Sequence, residues 1–206
     1  MQIKQFVTGM FETNCYLVTG REAGTCVLID PADNAEQLIG YLDQKHLVPK
    51  AVLLTHGHYD HYLAVPGLQN RWPGLSVYCH PLDCPKELEE HDMGMVFPTV
   101  TAFANVKSLE EGQELNLAGI TFRTLHTPGH TPGSVTFQAE NVLFTGDTLF
   151  CGSIGRTDFA GGNMKQMKAS LRRLAAIPGD YLVYPGHEGL TKLDRERKTN
   201  PYLAYL

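Results

Sequence analysis

Within six consecutive residues, His56-Gly57-His58-Tyr59-Asp60-His61, the chain places three imidazoles and one carboxylate. A surface turn has little use for three histidines, and a core cannot hold an unpaired aspartate cheaply. Metal ligation accounts for this composition, because neutral imidazole and carboxylate are the usual nitrogen and oxygen donors of zinc and its neighbours. Gly57, between His56 and His58, permits a tight turn that aims both rings at one point. Asp60 and His61 follow too closely to share that point and are placed to serve a second ion beside it.

Three further turns offer the remaining ligands. Thr127-Pro128-Gly129-His130-Thr131-Pro132-Gly133 sets one histidine between two Pro-Gly breakers. Asn141-Val142-Leu143-Phe144-Thr145-Gly146-Asp147 is a short apolar run ending in Gly-Asp, and Tyr181-Leu182-Val183-Tyr184-Pro185-Gly186-His187 is another ending in Pro-Gly-His. Ala51-Val52-Leu53-Leu54 precedes the first cluster in the same way. Loops at the ends of such β-like runs can converge on one rim of a sheet.

The elements that must carry these turns read as follows. Strands are expected at 2–7, 14–19, 25–29 and 51–54, with a helix near 34–45 and another opened by Asp60 and running toward Asn70. An aspartate in a first helical turn faces the positive end of the dipole. A strand at 75–79 and a helix near 82–90 close the first half. The second half repeats the theme with strands near 113–117, 120–125, 134–138 and 141–145, a helix near 163–175, a strand at 181–184 and a charged helix near 191–198. Strands dominating each half, with helices after them, predict an α/β chain of two sheets packed face to face with helices outside.

The order HxHxDH, TPGHT, TGDT, PGHE closely resembles the metallo-β-lactamase superfamily. The resemblance spans essentially the whole chain, from Glu12-Thr13-Asn14-Cys15-Tyr16-Leu17-Val18 to the C-terminal tail. Phe144 to Phe150, Gly152 to Phe159 and the tail Leu193 to Leu203 are similar to short-form glyoxalase II, a hydroxyacylglutathione hydrolase-like group. The resemblance implies a four-layer αββα sandwich with the metals along one edge. It assigns His56, His58 and His130 to a first metal, Asp60, His61 and His187 to a second, and Asp147 to a bridge between them. Two cations about 3.5–4 Å apart can share a water and lower its pKa toward neutrality, so a metal-bound hydroxide is the expected nucleophile, oriented in part by Asp60. The expected cofactors are two divalent ions, zinc first, with iron or manganese accepted according to availability. The expected substrate is a small-molecule thioester such as S-lactoylglutathione, whose thiolate leaves with little acid assistance.

Arg156 is a candidate for the substrate's carboxylate or thiol-side peptide. Thr157-Asp158 departs from the aromatic residues of long-form glyoxalase II, and the 19 residues after His187 do not amount to that form's added C-terminal helical region. The thiol carrier, glutathione, coenzyme A or another, is therefore open. A persulfide dioxygenase with a single iron is the chief rival, because it shares the Gly155-Arg156-Thr157-Asp158-Phe159 run. A metal-binding protein without hydrolase activity is opposed by the full ligand set. β-Lactamase action is less expected, because no leader peptide is seen.

Composition narrows the classes further. A chain of 206 residues with 43% hydrophobic and 19% charged residues fits one domain, 1–206, with one substantial core. Net charge is −5 and the 17 basic residues form no block, which argues against nucleic acid as a partner. Neither a secretory signal nor a run of about 18 apolar residues is present, so no membrane partner and a cytoplasmic location are expected. Cys15, Cys26, Cys79, Cys84 and Cys151 are scattered and odd in number, and read as thiols rather than a disulfide framework. His46, His80, His91 and His126 read as structural. Lys192, Arg195, Arg197 and Lys198 read as the solvated face of a short helix.

Overall fold

Alternation along the strands decides the layering. In β2 (Thr13–Thr19), Cys15 and Leu17 join one buried cluster while Tyr16 and Val18 join another. Strand β3 (Thr25–Ile29) divides the same way, Cys26 and Leu28 against Val27 and Ile29. Side chains of a strand point alternately to its two faces, so a strand apolar on both must be covered on both. The computed structural model describes residues 1–84 and 104–204, and it shows that cover.

The first sheet has the order β1 (Gln2–Thr8), β2, β3, β4 (Val48–Leu53), β5 (Ser76–Cys79), β6 (Val106–Ser108). Strands β1 to β3 pair antiparallel, and β3 to β6 run parallel. The second sheet contains β7 (Glu114–Leu117), β8 (Ile120–His126), β9 (Val135–Ala139), β10 (Val142–Gly146), β11 (Leu182–Pro185) and β12 (Thr191–Lys192), neighbours in chain order. There only β10 and β11 are parallel.

Between the sheets lie Tyr16, Val27, Ile29 and Leu53 from one and Phe122, Phe137 and Phe144 from the other. Helices α1 (Ala35–Gln44) and α2 (Val65–Arg71) cover the outer face of the first sheet through Leu38, Leu42 and Leu68. Helices α3 (Met164–Ala175) and α4 (Leu193–Thr199) cover the second through Met167, Leu171, Leu174 and Leu193. The result is the four-layer αββα sandwich.

Local departures from the expected elements have physical causes. Asp60 does not open a long helix. It sits in a single 3₁₀ turn, Tyr59–His61, and α2 starts later, with Pro66 in its first turn. The two short strands β6 and β12 were not expected. β6 is exposed throughout, so it carries no apolar alternation. The turn at 81–84 opens the region where a helix near 82–90 was expected, and the rest of that helix, with His91, lies outside the described residues. Cys79 and Cys84 are joined in a disulfide rather than free, because the turn after β5 brings their Cα atoms to 5.6 Å. Cys15, Cys26 and Cys151 remain thiols. Arg197 is not simply solvated: it donates to the carbonyls of Ala175, the last residue of α3, and of Ile177 and Gly179 just past it, where a cation is favoured.

Candidate metal centre

Four turns that follow β4, β8, β10 and β11 meet at one edge of the sandwich. Hydrogen bonds between the sheets fix the meeting: Val135 N donates to Thr55 O at 2.8 Å and Asn14 N to Gly186 O at 2.7 Å. The Asn14 side chain adds bonds to the carbonyls of Pro185 and Glu188, and Tyr16 Oη bonds the Pro185 carbonyl at 2.6 Å. Gly186 must be glycine here, since a Cβ would collide with Asp147 and the His61 ring.

All seven expected ligands face this edge. His58 Nδ1 lies 3.1 Å from His56 Nε2 and 2.8 Å from His130 Nε2, which makes one compact group of three nitrogens. Asp60, His61 and His187 make a second, with His61 Nε2 3.6 Å and His187 Nε2 3.4 Å from Asp60 Oδ2. Asp147 stands between the two. Its Oδ2 is 3.4 Å from His130 Nε2 and 3.6 Å from His187 Nε2, and its Oδ1 is 3.5 Å from His61 Nε2. Oδ2 thus approaches both groups, and Oδ1 faces the second through His61.

The outward ring nitrogens have their own partners. His130 Nδ1 donates to the Arg156 carbonyl at 2.7 Å and His187 Nδ1 to the Phe11 carbonyl at 3.1 Å. His61 Nδ1 lies 3.0 Å from Asp30 Oδ2. Thr55 gives its hydroxyl proton to the same Asp30 oxygen at 2.6 Å, so its oxygen is left to accept from His56 Nδ1 at 3.1 Å. These acceptors hold a proton on Nδ1 and turn the Nε2 atoms of His56, His61 and His130 inward, where a metal ion would meet them.

Asp30 therefore orients a residue of each group. It is buried at the end of β3, with φ of 48°, a left-handed conformation that aspartate tolerates better than most residues. The sequence reading missed it. Its signal is an acid closing the apolar run Thr25-Cys26-Val27-Leu28-Ile29 ahead of Pro31, a place where a solvated loop residue is the simpler reading. Thr13, which donates to Asp60 Oδ2 at 3.1 Å, and Thr55 were missed for the same reason.

Electrostatics differ between the groups. Burial and the neighbouring imidazoles lower the pKa of His56 and of His58, which favours the neutral form of these two rings. Burial also opposes charge on His61, but Asp147, Asp30 and Asp60 outweigh it and push its pKa up to about 10. His187 is shifted upward against burial by the Asp60 hydrogen bond and by Asp147. Burial would raise the Asp60 carboxyl, yet His61 and His187 hold it below its ordinary range.

Among the described residues, His61 Nε2 and Asp147 Oδ1 are buried without a hydrogen-bond partner. An uncompensated buried donor or acceptor is costly. Two such atoms facing each other inside a ring of imidazoles fit a cation, and the nitrogen-oxygen donor set suits zinc, iron or manganese.

Aromatic rings stand beside the ligands. Phe159 meets His58 and His130 edge-on at 5.9 and 6.4 Å, Phe150 meets His187 at 6.0 Å, and Phe11 meets Tyr59 at 6.0 Å. Arg156 stacks on Phe159 at 4.1 Å, with its guanidinium held by both oxygens of Asp158 at 2.9 and 2.8 Å. The side chain stands outside the ligand ring while its carbonyl orients His130. His80 and His126 stack on each other at 4.4 Å and take no part in either group. Glu196, fully buried in α4, accepts from Gly152 N, Thr191 Oγ1 and Asn200 Nδ2, and so anchors the loop between Asp147 and Arg156.

Residues 8–187 match the metallo-beta-lactamase superfamily profile. The chain is 35% identical to hydroxyacylglutathione hydrolase GloC of Haemophilus influenzae over 210 residues, covering 98% of each. Among solved structures it is similar to BLEG-1 B3 metallo-beta-lactamase, with a TM-score of 0.87 and 36% identity over 98% of this chain and 99% of that one. It is also similar to the di-iron-bound form of TTHA1623, with a TM-score of 0.84 and 41% identity over 97% and 100%. The chain belongs to the metallo-beta-lactamase superfamily.

Proposed function

We propose that this member of the metallo-beta-lactamase superfamily is a dinuclear metal hydrolase of small thioesters of the S-lactoylglutathione type. The observation that carries the reading is the pair of three-donor groups flanking Asp147, in a chain similar over its whole length to a hydroxyacylglutathione hydrolase. His56, His58 and His130 would hold one ion, Asp60, His61 and His187 the other, and Asp147 both. When bound, two divalent ions, zinc or else iron or manganese, supply Lewis acidity toward the acyl carbonyl and water of lowered pKa.

The chain's own residues do the rest. Asp30 and Thr55 hold the Nδ1 protons of His61 and His56, so that each ring faces the metal position with Nε2, which must be free of its proton when an ion binds. Asp60 Oδ2, steadied by Thr13, is the carboxylate placed to orient a reacting water and is the proposed catalytic residue. Phe159, Phe150 and Phe11 supply an apolar rim that excludes bulk water from the acyl group. Arg156 is the proposed contact for a carboxylate on the thiol side. Such a carboxylate must displace Asp158, so this contact selects for anionic substrates rather than creating the affinity alone. A net charge of −5 supports a small-molecule partner over nucleic acid, and no described helix is long and apolar enough to cross a membrane.

Metal analysis combined with a substrate panel tests the reading. Two metals per chain and turnover of S-lactoylglutathione or an acyl-coenzyme A, with little turnover of a β-lactam, are expected. One iron per chain with rapid oxygen uptake on glutathione persulfide would replace the hydrolase reading with an oxidative one. Inactivity toward every ester with both groups loaded would leave a metal-binding protein.

A further inference from the structure

Asp83 lies outside both ligand groups, yet it bonds the two loops that make the first one. Its Oδ2 accepts from Gly57 N at 3.1 Å, between His56 and His58, and from the hydroxyl of Thr131, next to His130. Its Oδ1 accepts from Gly133 N at 2.7 Å. The glycines are explained by the same contact. A Cβ on Gly57 would collide with the Asp83 carbonyl, and one on Gly133 with the Asp83 carboxylate. Gly57 is thus required by the approach of another segment and not by a left-handed turn between the histidines, since its φ is not among the positive ones. Asp83 itself rides on a short turn after β5, where the amides of Asp83 and Cys84 both donate to the His80 carbonyl. Cys84, the next residue, is tied by its disulfide to Cys79 at the buried end of β5.

We propose that Asp83 is a positioning residue for the His56, His58 and His130 group, and that the Cys79–Cys84 disulfide holds the turn that presents it. The inference rests on the reading that this group binds a metal. Two loops from different sheets carry the three rings, and Asp83 accepts from both, so its removal frees the loops to separate. Among the described residues Asp83 makes no bond to the second group, where Thr13 holds Asp60 and Asp30 holds His61. Loss of the clamp therefore weakens the first group selectively.

The test compares the full-length protein with Asp83→Ala, the milder Thr131→Val, and the double variant Cys79→Ser with Cys84→Ser. Thiol titration of the denatured wild type is expected to find three free thiols, and five would overturn the role of the disulfide. In metal-free protein, amide exchange at Gly57 and Gly133 should accelerate tenfold or more in Asp83→Ala and detectably in the double variant, while the β9 amides stay protected. Cobalt titration follows each group through the ring N–H resonances of His130 and His187, which are hydrogen-bonded to carbonyls. Cobalt affinity at the His130 group should fall about tenfold to a hundredfold in Asp83→Ala, with the His187 group changed less than threefold. Equal weakening of both groups alongside a lower Tm would overturn the proposal, because that is what a merely structural residue does. Unchanged exchange and affinity would overturn it as well. If the wild type binds no cobalt, the metal reading fails, and exchange at Gly57 and Gly133 still decides whether Asp83 clamps the loops.

Discussion

At Asp147 one carboxylate lies within 3.6 Å of three imidazoles drawn from two groups. Its loss and the loss of a single ring should therefore differ in kind. Asp147→Ala is expected to remove both metals or leave them uncoupled, whereas His130→Ala should mainly empty the first group. Metal per chain after desalting checks both, and unchanged stoichiometry in either variant contradicts the assignment. Protonation gives a second prediction. The folded pKa of His61, about 10, lies above the roughly 6.5 of an unfolded histidine. Its contacts with Asp147, Asp30 and Asp60 thus stabilise metal-free protein fully below about pH 6.5, and that contribution is lost as pH rises through about 10. The Tm of chelator-treated protein should fall steadily over that interval, and Asp30→Asn should flatten the fall. A Tm that rises across the interval would sink the argument.

Elements differed in how far the sequence revealed them. Strands β2, β3 and β10 and the second half of β4 announce themselves because both faces are buried, which makes each a short, largely apolar run. The ligands were legible because they sit in the turns after β4, β8, β10 and β11 as His and Asp, residue types with few other uses there. Asp30, Asp83 and Glu196 were not legible. Each acts through backbone amides or hydroxyls brought near by tertiary packing, and an isolated acid carries no spacing that signals such partners. Glu196 shows what that costs at the level of an element. It joins α4 to β12 and to the Gly152 loop, which leads to the carbonyl that orients His130. Glu196→Ala would leave three donors without their acceptor, and a loss of about 2–3 kcal/mol in urea unfolding is expected. Glu196→Gln keeps one acceptor and should lose less. An alanine variant as stable as the wild type would mean that water replaces the carboxylate without penalty.

Over the whole molecule, the two ligand groups lie where the sheets meet, and each draws on both. His56 and His58 follow β4 of the first sheet while His130 follows β8 of the second. Asp60 and His61 likewise face His187 after β11. Ions held there join the layers at the edge where Thr55 bonds Val135 and Asn14 bonds Gly186. An ion that binds only the folded chain adds about 2.7 kcal/mol per site at a hundredfold excess over its Kd. For a chain of 206 residues each kcal/mol moves Tm by about 2–4 °C. Loading one group should then raise Tm by roughly 5–10 °C, and filling the other should add to it. The increase should continue with free metal, at about 1.4 kcal/mol per site for each tenfold rise. Calorimetry against buffered zinc measures this directly. Amide exchange locates it: Asn14 and Val135 should gain protection on loading, while Leu28 and Phe137, deep within the sheets, should change only as global stability does. A Tm indifferent to metal from chelator to hundredfold excess would mean that these side chains do not hold ions in the folded protein.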